Sequence, residues 1–431
     1  MAKITFIGAG STVFAKNVLG DCMVTPALRE SEIALFDIDP VRLQDSYNML
    51  NNINKNSGNY STIKKYTNRK DALKDSNYVV NAIQVGGYDP CTITDFEIPK
   101  KYGLRQTIGD TLGIGGIFRG LRTIPVVLDI LKDMEEVCPN ALFLNYTNPM
   151  SIIMSAVFQA SPIKAVGLCH SVQDCIPRLF KDLEMDPEGV KWHISGINHQ
   201  AWLLDVSKDN VDLYPEIKKR AAEKEGPHGD MVRYEMMKRF GYYITESSEH
   251  GAEYVPYFIK SKYPDQIERW NIPLDEYPRR CIEQIGKWED MKDTLVNDTN
   301  IEHKRSHEYA SYILEAMETD VPYRIHGNVL NTGLITNLPK DAVVEVPCLV
   351  DRTGINPCYV GDLPQQLAAL NRTNINVHLL TAEAALTKNR ELIYMAAMLD
   401  PHTGSELSMD EIRDMCDELI EAHGDWLPEY L

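Results

Sequence analysis

The side chains best suited to chemistry in this chain stand in three short segments. GLCHSVQ (167–173) sets Cys169 beside His170, GINHQAW (196–202) supplies His199, and TESSEHGAEYVPYF (245–258) is rich in carboxylates and aromatic hydroxyls. A thiolate and a neutral imidazole, with water and substrate oxygens in the other positions, suit a borderline divalent metal. Cys169 and His199 lack the short CxxC or HExxH spacing that makes metal binding specific, and cysteine is among the most buried residue types, so on ligand chemistry alone an inert core thiol is the stronger reading. A Cys-His nucleophilic dyad, with His170 or His199 as base, is a third, although no acyl-transfer signature surrounds it. In a helix, Glu246, Glu249, His250, Glu253, Tyr254 and Tyr257 would share one face. That face is either solvated or holds a buried general acid and base. Arg279 and Arg280 in DEYPRRC are surface charges or substrate clamps.

A second set of residues points to a nucleotide. FIGAGS (6–11) follows an apolar run and opens a helical stretch, so Gly8 can make the tight turn and Gly10 can admit a pyrophosphate to the helix amino end at Ser11. Val13 stands where the fingerprint has its third glycine. LFDID places Asp37 at the end of the next strand, where a carboxylate binds the ribose hydroxyls of NAD and repels the extra phosphate of NADP. NAIQVGGY and LNYTNPM follow later strands, so Gln84, Gly86 and Asn148 are expected to line the cofactor cleft.

These residues need an open sheet to hold them. KITFIG, EIALFD, YVVNAI and ALFLN read as buried strands alternating with helical stretches such as PVRLQDSYNMLNNIN, the pattern of an α/β doubly wound parallel sheet. A further short strand at 164–167 puts Cys169 on the loop beyond a carboxyl end, where such sheets keep their ligands. After about residue 196 the pattern turns to long helices, notably 363–399, interrupted by the strand-like AVVEVPCLV. The expected organisation is a Rossmann-like NAD-binding domain over 1–195 and a mainly helical α+β domain over 196–431 for substrate binding and oligomerisation.

Composition narrows the partners. With 62 acidic and 44 basic residues among 431, the net charge of −18 repels nucleic acid and anionic membranes. The start MAKITFIGAG lacks a signal-peptide core and no long apolar span follows, so a cytoplasmic protein is expected. Nine cysteines without repeated spacing argue against a disulfide framework.

Taken in order, ITFIGAGST, VGGY, YTNPM, GLCHSVQ, GINH, TESSEH and AHGDWLPEY resemble glycoside hydrolase family 4, in particular its α-galactosidase branch, over essentially the whole chain. The resemblance implies an enzyme that keeps NAD bound, requires manganese or another divalent metal, and cleaves melibiose-type α-galactosides. Hydride leaves carbon 3 of the sugar, the proton leaves carbon 2, the aglycone departs, water adds and hydride returns. The family is an exception to two-carboxylate glycoside hydrolysis. By resemblance, Cys169 and His199 are the metal ligands and Tyr254, in a Y-x-x-Y segment, is the base. His170 and Glu246 are candidates for proton transfer, with Glu249 as a further one. Asn148, Asp110 and Arg280 would orient substrate. A homodimer or homotetramer is expected. The rival functions are an α-glucosidase or α-galacturonidase of the same family, an NAD-dependent sugar or hydroxy-acid dehydrogenase, and a non-catalytic NAD-responsive binding protein.

Overall fold

The computed structural model describes Met1–Leu431 and places every strand in one thirteen-stranded sheet. The strands are β1 (Lys3–Ile7), β2 (Glu32–Phe36), β3 (Thr62–Tyr66), β4 (Tyr78–Asn81), β5 (Leu142–Asn145), β6 (Ala165–Gly167), β7 (Lys191–Ile197), β8 (Gln200–Lys208), β9 (Val211–Asp212), β10 (Tyr243–Ile244), β11 (Tyr323–Leu330), β12 (Val343–Asp351) and β13 (Gly354–Pro357). The first six pair in parallel in the order β3-β2-β1-β4-β5-β6. That is the doubly wound dinucleotide-binding order.

Residue type explains which strands were readable. All four residues of β4 and of β5 are buried, as helices on both faces of a parallel sheet require. Phe6 and Phe143 are completely buried, and truncating either to alanine costs about 3–5 kcal/mol. Sequence patterning missed β3, TIKKY, because it is an edge strand with two lysines and an exposed pattern, not an apolar run. The helix anticipated after Asp37 runs from Pro40 to Asn56. The Asp39 carboxylate caps it, accepting from the Val41 and Arg42 N–H groups at 2.9 and 3.1 Å.

Beyond β6 the sheet continues with antiparallel strands in the order β11-β12-β7-β8-β10. A single-residue pairing, Asn328 with Gly167, joins the two halves, and another, Glu345 with Gly196, joins β12 to β7 within the antiparallel half. The strand-like segment after residue 340 is β12, whereas β7, β8 and β11 were not anticipated. Their mixed polar content hides the period. The expected long helix at 363–399 is two helices, Gln365–Thr387 and Arg390–Leu399, broken where Lys388 takes φ +58°. Both pack with helices Gly113–Val137 and Met150–Ala160 in one apolar core that includes Phe118, Ile152, Ala382 and Ile393. No helix is long and apolar enough to cross a membrane.

Candidate active site

Strand ends bring the three chemical segments together. Cys169 follows β6, and His199 sits in the two-residue turn joining β7 to β8. His199 adopts φ +61°, which is uncommon for a residue with a Cβ and costs on the order of 1 kcal/mol or more. Pairing of Ile244 with Trp202 then delivers Glu246 to the same turn. The result is a compact donor set. His199 Nε2 lies 3.2 Å from Cys169 Sγ and 3.4 Å from Glu246 Oε2, and the ligand atoms of all three lie within 4.8 Å of one another.

Electrostatics in this set is tightly linked. Burial alone would push the Cys169 thiol up, but the His199 imidazolium overrides it and brings it down to about 7. Burial likewise opposes charging His199, yet Cys169 and Glu246 push it up to about 10. Glu246 is depressed to about 2 because His199, then His250, outweigh its burial. The three groups thus favour one another's charged forms, and a divalent cation would take the place of the imidazolium proton. One soft sulfur, one imidazole nitrogen and one carboxylate oxygen form a chemically suitable and incomplete coordination set, which leaves room for substrate oxygens.

Behind His199 runs a buried chain of hydrogen bonds. His199 Nδ1 lies 2.9 Å from His250 Nε2, and His250 Nδ1 lies 2.9 Å from Glu253 Oε2. Glu253 also accepts from the backbone N–H groups of Thr107, Ile108 and Gly109 at 2.7, 3.2 and 3.1 Å. The segment 245–258 is not one continuous helix. Only Ser248–Gly251 is α-helical and a 3-10 turn follows. Glu246, His250, Glu253 and Tyr254 converge, while Glu249 turns to Arg280 and Tyr257 is half exposed against Phe240.

A cleft of about 330 Å³ opens beside the donor set, lined in part by Gln84, Asp110, Asn148, Glu246 and Arg280. Asp110 faces Arg119 at 3.7 Å and accepts from Asn148 at 3.4 Å. Despite its burial, Arg119 and then His250 hold its carboxyl below the usual range. Tyr254 is fully buried near His199, and its hydroxyl has no hydrogen-bond partner. Burial first, then Glu246, Asp110 and Cys169, hold it well above the ordinary phenol range.

His170 is not brought into the cleft wall. Its Nε2 is 3.0 Å from both oxygens of Glu308, and its ring lies between Tyr146 and Tyr309. Sequence reasoning missed Glu345, a fully buried acid on β12 whose burial, reinforced by Cys169, raises its carboxyl well above the usual value. A lone glutamate inside AVVEVPCLV was the signal for it. Arg119 and Tyr277, joined at 3.0 Å, carried no local signal.

The nucleotide turn also fits its expected ligand. Gly8 has φ +89°, and a Cβ there would lie 2.5 Å from the Ala82 carbonyl oxygen. At Gly10 a Cβ would lie 2.8 Å from the Asp37 carboxylate, which accepts from the Gly10 N–H at 2.6 Å. The Ser11 hydroxyl donates to the Gly8 carbonyl at 2.8 Å and does not cap the helix Thr12–Val24, so the first-turn N–H groups stay free for phosphate. Val13 points outward at 43% exposure, so the absent third glycine costs no packing. Gly86 stands in the turn after β4, where Arg122 holds the Val85 carbonyl at 3.1 Å.

Residues 3–185 match family 4 glycosyl hydrolases, and residues 194–403 match the family 4 glycosyl hydrolase C-terminal domain. An α-galactosidase of Bacillus subtilis (strain 168) is 63% identical over 431 residues, covering 100% of both chains. An α-galactosidase of Rhizobium meliloti (strain 1021) is 36% identical, covering 99% of this chain and 89% of its own. The solved structure of a 6-phospho-α-glucosidase from gut microorganisms, in complex with NAD and Mn2+, has the same fold, with a TM-score of 0.84 at 22% identity and 100% coverage of each chain. This chain belongs to glycosyl hydrolase family 4.

Proposed function

We propose that the protein is an NAD- and divalent-metal-dependent α-galactosidase acting on melibiose-type α-galactosides, with manganese as the metal. The observation that carries this reading is the convergence of Cys169, His199 and Glu246 at the carboxyl end of a dinucleotide-type sheet, beside a polar cleft. When bound, the dinucleotide supplies a reversible hydride acceptor and the cation a Lewis acid for adjacent sugar oxygens.

The chain's own groups do the rest. Gly8, Gly10 and Ser11 receive the pyrophosphate and Asp37 the ribose, while Gln84, Gly86 and Asn148 border the nicotinamide end. Cys169 and His199 would hold the cation, with Glu246 as a third donor and positions left for substrate oxygens. Asp110, Asn148 and Arg280 accept and donate hydrogen bonds to the sugar. Tyr254 takes the carbon 2 proton: its hydroxyl is buried without a partner near His199, and a bound cation would offset the burial and the carboxylates that hold its phenol up. With His170 bound to Glu308 and Glu246 held ionised among the cation's donors, leaving-group protonation falls to water in the cleft.

Residues 1–195 serve mainly the cofactor and 196–431 mainly substrate and self-association. The exposed Ile282, Ile285 and Met291 on helix Glu276–Asn297 support a homo-oligomer, which sedimentation at graded concentration checks. All nine cysteines are free thiols, which suits a reducing cytoplasm.

The decisive assay is hydrolysis of nitrophenyl α-galactoside against its gluco and galacturono counterparts, omitting NAD+, manganese and thiol in turn. Cleavage that needs all three, with no net NADH and with deuterium entering carbon 2 in heavy water, supports the proposal. Net NADH release would mark a dehydrogenase instead.

A further inference from the structure

The hydrogen-bond chain behind His199 assigns protons to named atoms. Glu253 is fully enclosed, and three backbone N–H groups converge on its two oxygens, which fixes it as an ionised acceptor. Burial opposes that charge, but His250 and the same backbone donors keep the carboxyl below its usual range. An acceptor at that end requires His250 to carry its proton on Nδ1, 2.9 Å away. For His199 to offer a lone pair on Nε2, its ring hydrogen must sit on Nδ1, and His250 Nε2, 2.9 Å away, is then the atom that accepts it. His199 therefore keeps a proton on Nδ1 and leaves Nε2 to face Cys169 and Glu246. Reversing the chain would put two N–H groups or two lone pairs against each other at one of these 2.9 Å contacts.

We infer that His250 and Glu253 are positioning residues for His199, fixing its tautomer and ring plane so that Nε2 is the nitrogen offered to a divalent cation. The inference rests on the proposed metal site. It gives a task to two buried residues outside the donor set: His250, which also borders the cleft 3.9 Å from Asp110, and Glu253, which lies behind it. It also explains the strained His199 backbone. A residue held at φ +61° in a two-residue turn needs its side chain fixed from behind as well as from in front.

The same chain has a second consequence. The loop that grips Glu253 through Thr107, Ile108 and Gly109 continues directly into Asp110, which lines the cleft. Thr107 is further tied to the 245–254 segment by its hydroxyl, which donates to the Glu249 carbonyl at 2.8 Å, and its own carbonyl accepts from the Tyr277 N–H at 2.9 Å. One carboxylate thus registers the ion-binding imidazole against the substrate wall.

The test compares His250→Leu with His250→Gln. Leucine keeps apolar volume but offers no acceptor to His199. Glutamine can accept from His199 through its amide oxygen and donate to Glu253 through its amide nitrogen. Manganese binding is read from loss of the free-ion electron paramagnetic resonance signal at fixed pH, with NAD+ affinity measured on the same samples. We expect His250→Leu to weaken manganese binding about 10- to 100-fold, His250→Gln to recover most of that loss, and NAD+ affinity to stay within about twofold in both. Glu253→Gln, which turns an amide N–H toward the backbone donors, should fall between the two. The inference is overturned if His250→Leu binds manganese like the wild type, or if leucine and glutamine weaken it equally, which would make the ring's packing the cause. Cys169→Ser separates this failure from that of the metal site. If Cys169→Ser weakens manganese and His250→Leu does not, only the positioning role falls; if neither does, the site itself is misassigned.

Discussion

Two buried clusters in this molecule each join histidine to carboxylate, and only one is poised for chemistry. Under the nucleotide cleft, Arg122 spends its guanidinium on both oxygens of Asp95, at 2.6 and 3.1 Å, and on the Val85 carbonyl, while His423 Nε2 reaches Asp95 at 2.9 Å. Here one cation meets one carboxylate in a bidentate pair, and the His423 ring stacks on Phe118. Around His199, by contrast, Cys169, Glu246, Glu253 and Asp110 outnumber the cations, and several polar atoms are left over. The Tyr254 hydroxyl, Glu345 Oε2 and both ends of the Asn198 amide are buried without partners. Burial and charge are common to both clusters. What separates them is the degree of saturation: the first leaves only His423 Nδ1 without a partner, and the second leaves several polar atoms that an added ligand can satisfy.

The sharpest way to break this contrast is Cys169→Ser. It should reduce turnover on the order of a thousandfold and weaken manganese binding while leaving NAD+ affinity intact, because the thiolate serves the ion and not the dinucleotide. A mutant that titrates manganese normally would return Cys169 to the class of core thiols. Tyr254→Phe comes next, with an expected loss of about a hundredfold that falls on proton exchange at carbon 2 more than on hydride transfer at carbon 3. Equal loss in the two isotope measurements would reassign Tyr254 to packing.

The more nearly saturated cluster should answer in the opposite currency. Arg122→Met strands the Asp95 carboxylate and should cost about 3–5 kcal/mol in denaturant unfolding, with manganese affinity of the folded fraction unchanged. A change in ion affinity there would mean the two clusters are coupled. The smallest effect concerns acid. Burial pushes His378 and, helped by Arg324, His326 down to about 3. Both stay neutral when folded and take up a proton near pH 6.5 once unfolded. Their contribution is complete above that pH and is lost as pH falls from 6.5 toward 3, roughly 2 kcal/mol for each residue at pH 5. His378→Leu should flatten that acid slope in urea melts; an unchanged slope would place the acid sensitivity elsewhere.

Legibility followed the same division. Runs of apolar residues betrayed β1, β2, β4 and β5, and the glycine turn with Asp37 betrayed the nucleotide site, because both signals lie within short stretches. Cys169 and His199 were visible as types, but neither spacing nor composition linked them; the family resemblance did. The partners that complete the site were hidden for geometric reasons. Glu253 is held by backbone N–H groups almost 150 residues earlier in the chain, and no pattern of side chains records such a grip. The short helix at Ser248–Gly251 broke the single face expected for 245–258, separating Tyr257 and Glu249 from the others. The antiparallel extension of the sheet escaped notice because β7 and β8 mix polar and apolar residues, which hides the period of two along each strand.

One wall of the cleft is built differently from the other. The ion-facing side hangs from strand ends, but Tyr277, Arg280, Cys281 and Gln284 project from helix Glu276–Asn297, which buries only Glu276 and Val296 along its length. A helix that buries so few of its side chains can change the residues it shows to the cleft while the redox and proton chemistry opposite stays in register. Divergence in sugar preference among relatives should accordingly collect on this one helix, making it the place to begin when retargeting the enzyme to another glycoside.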